Sequence, residues 1–356
     1  MDKEKILRSI RDNIDYIDNK ILRLLNERME NALRASKVKD EVEDKNREKR
    51  ILDNIARKSG NLIDEEFFEE IYKSLFEESR TLQNKGLKLI GFQGAHGAYS
   101  EMAANNWKED LVSIPCDSFA EVFEGVEDGL YEYGILPVEN TLGGVVGEVN
   151  ELFMDNENGV KIIGAIEQPI EHCLLYVDAD KFRDIRKVYS HSQALSQCKN
   201  FLERNNLESV NYYDTAGAAQ MISEEKPEAT AAIASSLAAD LYDLEIIKDN
   251  IENVQGNKTR FIVISKEKID EKGDKCTIIF STPHKAGTLF NVLSIFAEAD
   301  INLTRIESMP SGTGNYSFFL DFMGSKKDEK VQKALEEVEE STQYYRFLGC
   351  YKERSL

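Results

Sequence analysis

Cysteine is scarce and scattered in this chain: Cys116, Cys173, Cys198, Cys276 and Cys350 are odd in number and form no CxxC pair. Neither a disulfide framework nor a zinc site is indicated, and the five read as reduced core thiols. No stretch approaches the run of about 20 apolar residues that a membrane span needs. The opening Met1, Asp2, Lys3, Glu4 is not the apolar segment of a signal peptide, so the expected location is cytoplasmic. Positive charge is also in deficit, with 45 basic against 65 acidic residues and a formal charge of −20. Such a surface repels nucleic acid and anionic lipid, which excludes both as partners. A small dianion can still bind, but only where arginine and lysine gather locally. No metal, nucleotide or flavin motif is present, so the expectation is no metal and no cofactor.

With 356 residues and 41% hydrophobic content, the chain has room for two or three domains, each with its own core. Residues 1–85 contain no proline and are helical in pattern throughout. Leu7, Ile10, Ile14, Ile17, Ile21 and Leu24 recur at three- and four-residue steps and paint one apolar stripe. Arg28 and Lys39 continue that pattern, which predicts a helix of more than about thirty residues. Helices around Asp44 to Arg57 and Asp64 to Gln83 complete an all-α unit, broken at Ser59, Gly60 and Asn61.

Residues 87–266 alternate short β-rich runs with helical ones, as in Lys88 to Phe92 before a helix from Ser100, and Lys187 to Ser190 before Gln193 to Arg204. That alternation predicts a two-lobed α/β domain with a parallel-rich sheet and ligands at the carboxyl ends of its strands. Residues 274–352 read as βαββαβ, a ferredoxin-like module.

Arg28 and Lys39, on one ideal helix, sit about 20° apart in phase and roughly 16 Å along the axis, so both could reach one anion. Arg11 lies roughly 25 Å before Arg28, too far for one metabolite within a single chain. A neighbouring antiparallel chain could supply it, with the apolar stripe as the seam. The ordered series Arg11, Arg28, Lys39, Asp44, Arg47, Glu48, Ser79 and Gln83 resembles the active-site series of the all-helical chorismate mutases, with a shorter link between Lys39 and Asp44. The pericyclic rearrangement of chorismate to prephenate needs no nucleophile, only a held conformer and stabilised charge on the breaking ether oxygen. The resemblance implies that Arg11 and Arg28 clamp the carboxylates, Lys39 and Gln83 face the ether oxygen, and Glu48 binds the ring hydroxyl. Asp44, Arg47 and Ser79 would be supporting substrate contacts.

Four stretches of the α/β segment are similar to the prephenate dehydratases, in that family's order: Gly91 to Ser100, Gly134 to Thr141, Tyr189 to Ala194 and Asn257 to Phe261. Alone, the first could either cradle an anion or simply turn the chain. Conversion of prephenate to phenylpyruvate expels a carboxylate and a hydroxyl, so the site needs a proton donor and orienting contacts. By resemblance Thr259 is that donor, working in a network for which Asn140, Ser190 and Gln197 are candidates. Glu139 and Thr141 flank Asn140 as substrate contacts. Arg260 is the natural carboxylate partner unless its side chain points away from Thr259. His191 reads either as an acid–base group or as a backbone-bonded structural histidine and stays outside the catalytic set, and Ser192 stands where that family usually has proline.

The C-terminal module resembles ACT domains that respond to phenylalanine. Ala286, Gly287, Thr288 and Leu289 stand for a Gly-Ala-Leu turn, and Glu307, Ser308, Met309 and Pro310 for Glu-Ser-Arg-Pro. An effector carboxylate suits the helix start, and an acidic neighbour suits its ammonium. The resemblance therefore implies a bifunctional enzyme of L-phenylalanine biosynthesis, acting on chorismate and prephenate, sensing L-phenylalanine, and forming a homodimer or higher homo-oligomer. The alternatives are a monofunctional dehydratase with a helical dimerisation segment, a module that only dimerises, and a non-catalytic metabolite-binding sensor.

Overall fold

The computed structural model describes residues 3–39, 41–58, 62, 64–155, 159–177, 179–267, 273–311 and 315–356. The expected break at Ser59, Gly60 and Asn61, and Asp40 in the link after Lys39, lie outside them. The chain divides into two compact units, one built on the N-terminal helices and one on the remainder.

The helical unit contains α1 (Lys3–Ser36), α2 (Lys45–Lys58) and α3 (Glu65–Asn84). Leu33 and Phe76 are its buried apolar anchors. The 34-residue α1 matches the predicted length but stops before Lys39. Backbone bonds tighten to i→i−3 spacing at its end, from Lys37 N to Arg34 O and from Val38 N to Ala35 O, and the Ser36 hydroxyl donates to Leu33 O at 2.6 Å. Lys39 therefore lies beyond the helix, and the phase arithmetic linking it to Arg28 does not apply.

The α/β segment runs β1 (Leu89–Gln93), α4 (Tyr99–Trp107), β2 (Val112–Cys116), α5 (Phe119–Glu127), β3 (Tyr133–Asn140), β4 (Gly144–Val145), α6 (Gly147–Asp155), β5 (Lys161–Pro169) and β6 (Cys173–Tyr176). After a 3-10 turn it continues with β7 (Lys187–Ser190), α7 (Ser192–Gln197), α8 (Lys199–Arg204), β8 (Glu208–Asn211), α9 (Thr215–Glu225), β9 (Thr230–Ala234), α10 (Ser236–Leu241), β10 (Glu245–Lys248) and β11 (Lys258–Ser265). The C-terminal module is β12 (Lys275–Thr282), α11 (Thr288–Glu298), β13 (Leu303–Ser311), β14 (Asn315–Met323), α12 (Glu329–Ser341) and β15 (Tyr344–Ser355).

Two lobes are present, but the sheets are mixed rather than parallel-rich. In the first lobe β1 and β3 are parallel, whereas β11 lies antiparallel to both β3 and β5. The second lobe orders its strands β10-β6-β9-β7-β8, with β6 antiparallel to both β10 and β9. The module has the βαββαβ order, with α11 and α12 over a core of Ile278, Phe280, Phe296, Leu320 and Val338. Strand β15 overruns the module, and its residues 352–355 pair parallel with β5. One ten-stranded sheet results, running β13-β14-β12-β15-β5-β11-β3-β1 before its outer strand.

Candidate active sites and effector cavity

In the helical unit, the Arg28 guanidinium donates to Ser79 Oγ at 2.8 Å and lies 5.7 Å from the Phe76 ring centroid, a cation–π contact that holds it against α3. One turn beyond Ser79, Gln83 has a buried Oε1 with no hydrogen-bond partner among the described residues. A buried orphan acceptor is costly unless something else satisfies it. Arg28 and Ser79 thus meet between α1 and α3, with Gln83 one turn further along α3. Other members of the series are placed differently. Asp44 caps α2, its Oδ1 accepting from Arg47 N at 2.9 Å, as an N-cap carboxylate does. Glu48 is held by Arg80 at 2.7 Å. Arg11, Lys39 and Arg47 are exposed.

In the α/β segment, a cleft of about 570 Å³ opens between the lobes at the carboxyl ends of β1, β3 and β7. Its floor holds Asn140 and Thr259, paired across β3 and β11. Both are buried. Asn140 Oδ1 accepts from the amides of Leu142 at 3.0 Å and Gly143 at 2.6 Å, which fixes its amide so that Nδ2 is the donor to Thr259 Oγ1, at 2.9 Å. Thr259 accepts that bond, and its single O–H hydrogen remains free to be donated.

Four helices of nine or more residues start at the cleft wall: Tyr99 and Ser100 open α4, Ser118 and Phe119 open α5, Val146 and Glu148 flank the start of α6, and Asp214 and Thr215 open α9. Their dipoles turn positive ends to the cleft, while the Asp214 carboxylate and the Ser118 hydroxyl already accept from the Gly217 and Glu121 amides. Among the described lining residues none is Arg or Lys, and Arg260, expected as the carboxylate partner, is not one of them. On the second lobe, His172 lies 3.0 Å from the Tyr99 hydroxyl and 2.7 Å from Gln197 Oε1. Burial pushes its pKa below the ordinary value, against Gln197 and Glu252, so the ring is neutral. Burial likewise raises the Asp214 carboxyl, against the Gly217 and Ala216 amides it caps.

Of the expected contacts, Gln197 lines this cleft. Ser190 does not, because its hydroxyl donates to Ile233 O at 2.6 Å in the core. Thr141 clips two motifs together, donating to Asn257 Oδ1 and accepting from Lys258 N. Arg260 points away from Thr259, as alternation along a strand dictates, and Glu139, its register partner, is turned from the cleft with it. The glycine-rich stretch is a turn pinned by its own carboxylate: Glu101 accepts from Gly97 N at 2.6 Å and holds His96 at 2.8 Å. His191 caps α7, accepting from Gln193 N. Tyr99, His172 and Asp214 were not singled out as site residues from sequence. Tyr99 lies inside the Gly91 to Ser100 stretch, whereas His172 carries no local signal.

A second cavity of about 440 Å³ in the C-terminal module is lined by Gly287, Thr288 and Leu289 at the start of α11, together with Ser308 and the aromatic rings of Phe290, Tyr316 and Phe318. Gly287 has φ +88, a conformation glycine adopts without strain. Glu307 is not at this cavity: it pairs with Phe319 on the sheet face opposite Ser308.

Residues 10–84 match the chorismate mutase type II family, residues 90–269 the prephenate dehydratase family, and residues 277–340 the ACT domain family. A bifunctional chorismate mutase/prephenate dehydratase of Aquifex aeolicus is 36% identical across 98% of this chain and 99% of its own length. Among solved structures, a prephenate dehydratase of Arthrobacter aurescens in complex with L-Phe is 27% identical with a TM-score of 0.67, covering 74% of this chain and 89% of that one. GqqA, described as a novel type of quorum quenching acylase, is 33% identical with a TM-score of 0.69, covering 74% of this chain and 97% of that one. The order of the three segments, the end-to-end likeness and the architecture agree: the chain belongs to the family of bifunctional chorismate mutase/prephenate dehydratases.

Proposed function

We propose that the helical unit rearranges chorismate to prephenate, that the interlobe cleft converts prephenate to phenylpyruvate, and that the module's cavity takes L-phenylalanine as effector. The observation that carries the reading is the hydroxyl of Thr259, which accepts from Asn140 and keeps its own hydrogen for a substrate.

In the cleft, the bond from the ring to its carboxylate breaks and CO2 departs. The released electron pair aromatises the ring, and the C–O bond to the ring hydroxyl breaks as the oxygen takes a proton from Thr259, which solvent restores. The departing carboxylate loses its charge on the way to CO2, so a cation fixed on it would stabilise the ground state more than the transition state. Helix N-termini without arginine or lysine suit that requirement, orienting the dianion through amides. A neutral His172 offers no imidazolium proton, and the donor role is assigned to Thr259 on its geometry beside Asn140.

In the helical unit, Arg28 and Gln83 supply a charged and a neutral donor for a carboxylate and the ether oxygen, with Lys39 and Arg47 exposed nearby in sequence. Arg11 acts from a second chain. The apolar stripe supports this: Ile10, Ile14, Ile17, Ile21 and Leu24 are each 48–55% exposed. Covering the exposed half of each is worth on the order of 1 kcal/mol, and pairing two copies of α1 as a homodimer covers them together. No helix of the described residues is long and apolar enough to cross a membrane. All five cysteines are buried thiols, and unoxidised thiols suit a cytoplasmic setting. Incubation of the purified chain with chorismate tests the reading: phenylpyruvate is the expected product, and binding without any product overturns it.

A further inference from the structure

Arg260 is adjacent to Thr259 on β11 but belongs, by its contacts, to the C-terminal module. Its Nη1 donates to Asp321 at 2.7 Å, its Nη2 to the Tyr351 hydroxyl at 2.9 Å, and its Nε to Glu353. All three partners lie on module strands, so every edge of the guanidinium is engaged there. The seam is closed on itself. Thr277 donates to Asp321 at 2.8 Å and lies 2.7 Å from the Tyr351 hydroxyl, while Lys275 donates to Glu353 at 2.7 Å. Two cations face two anions, and Asp321, Thr277 and Tyr351 are each no more than 2% exposed. A buried, neutral and fully bonded cluster of this kind resists partial rearrangement, because freeing one charge leaves another unpaired.

The strands that carry this cluster also form the effector cavity. On β14, Tyr316 and Phe318 line the cavity and Asp321 reaches Arg260. On β12, Thr282 lines the cavity and Thr277 and Lys275 reach the cluster. The separations are three to seven residues of strand, roughly 10–24 Å. A second seam runs beside the first. Arg305 on β13 donates to Asn150 at 3.1 Å and the rings of Phe153 and Phe319 meet at 6.4 Å, while Glu148, on the same helix α6 as Asn150, lines the substrate cleft.

We propose that Arg260 is a positioning residue for Thr259 and that the Arg260–Asp321–Thr277–Tyr351 cluster is the coupling element through which occupancy of the module's cavity alters dehydration in the cleft. The inference rests on the function proposed above. A shift of β12 or β14 against β11 displaces the Arg260 anchor, and with it the backbone that sets Thr259 opposite Asn140.

The test compares the wild type with Asp321→Asn and Thr277→Val in the full chain. Two quantities are measured for each: the calorimetric affinity for L-phenylalanine, and the concentration that half-inhibits prephenate turnover, relative to that variant's own uninhibited rate. Expected is L-phenylalanine affinity within about twofold of wild type, with inhibition weakened at least about fivefold, the lower end of typical coupling. Arg260→Lys should lower kcat more than it raises KM, as expected when a donor is misplaced rather than removed. Thr277→Val removes no charge and keeps the test open should Asp321→Asn fail to fold. Variants that bind and respond as the wild type does overturn the coupling role, as does a wild type that dehydrates prephenate but responds to no aromatic amino acid. A wild type that does not dehydrate prephenate at all fails the underlying reading instead.

Discussion

Asn140 donates to Thr259 across two strands at 2.9 Å, and its own orientation is set by the amides of Leu142 and Gly143. The direction of that bond is testable. Asn140→Asp keeps size and position but replaces the donor with an acceptor, so the Thr259 hydrogen turns to the new carboxylate and away from substrate. Prephenate dehydration should fall by about 10²–10³-fold in kcat with little change in KM. Thr259→Ser should retain measurable turnover and Thr259→Ala essentially none. Near-normal kcat in Asn140→Asp would show that Thr259 is not the donor.

Arg11 and Arg28 should be separable between chains. Arg11→Ala and Arg28→Ala homodimers should each lack mutase activity. A refolded equimolar mixture should recover roughly a quarter of wild-type mutase activity, because half the dimers are mixed and each has one intact pocket. No recovery, with dimers shown to exchange, would place both arginines in the same pocket of one chain.

His172 and Glu353 set the acid limb of stability. Burial lowers His172 from its ordinary 6.5, so the unfolded chain binds its proton first. Its contribution is complete above about pH 6.5 and is lost as pH falls through the lower folded value. Burial disfavours the Glu353 charge, but Arg260 and Lys275 outweigh it and lower its pKa from 4.5, which adds a second loss below about pH 4.5. Urea midpoints should be flat between about pH 7 and pH 8 and fall in these two steps on acidification. His172→Gln should remove the first step alone.

Gly97 has φ +89, and a Cβ there would lie 2.8 Å from the Ala238 backbone, at the point where Ser235 donates to Gly97 O. Gly97→Ala should cost about 1–3 kcal/mol in chemical denaturation. An unchanged midpoint would show that the contact between the lobes gives way freely.

Much of this was legible in the sequence, and the illegible remainder has physical causes. The stripe on α1, the order of motifs and the βαββαβ tail depend on local periodicity, which sequence carries directly. Thr230–Ala234 was not read as a strand because three of its five residues are alanine, and it is extended only because it is buried on both faces. The direction of Arg260 turned on strand register and on partners about 60 and 90 residues away. Asp44 caps α2 with the same side chain that binding would use, so sequence does not separate the two roles. The place of His172 in the cleft wall carries no signal in sequence, since Tyr99 and Gln197 meet it only in the folded lobes.

The central claim, two separate sites acting in succession on one carbon skeleton, is tested most directly by separating them in single variants. Purified Arg28→Ala should leave chorismate unchanged yet convert added prephenate to phenylpyruvate, Thr259→Ala should convert chorismate and stop at prephenate, and the two mixed should carry chorismate to phenylpyruvate. Loss of both steps in either folded variant, or a mixture that yields no phenylpyruvate, would contradict the account.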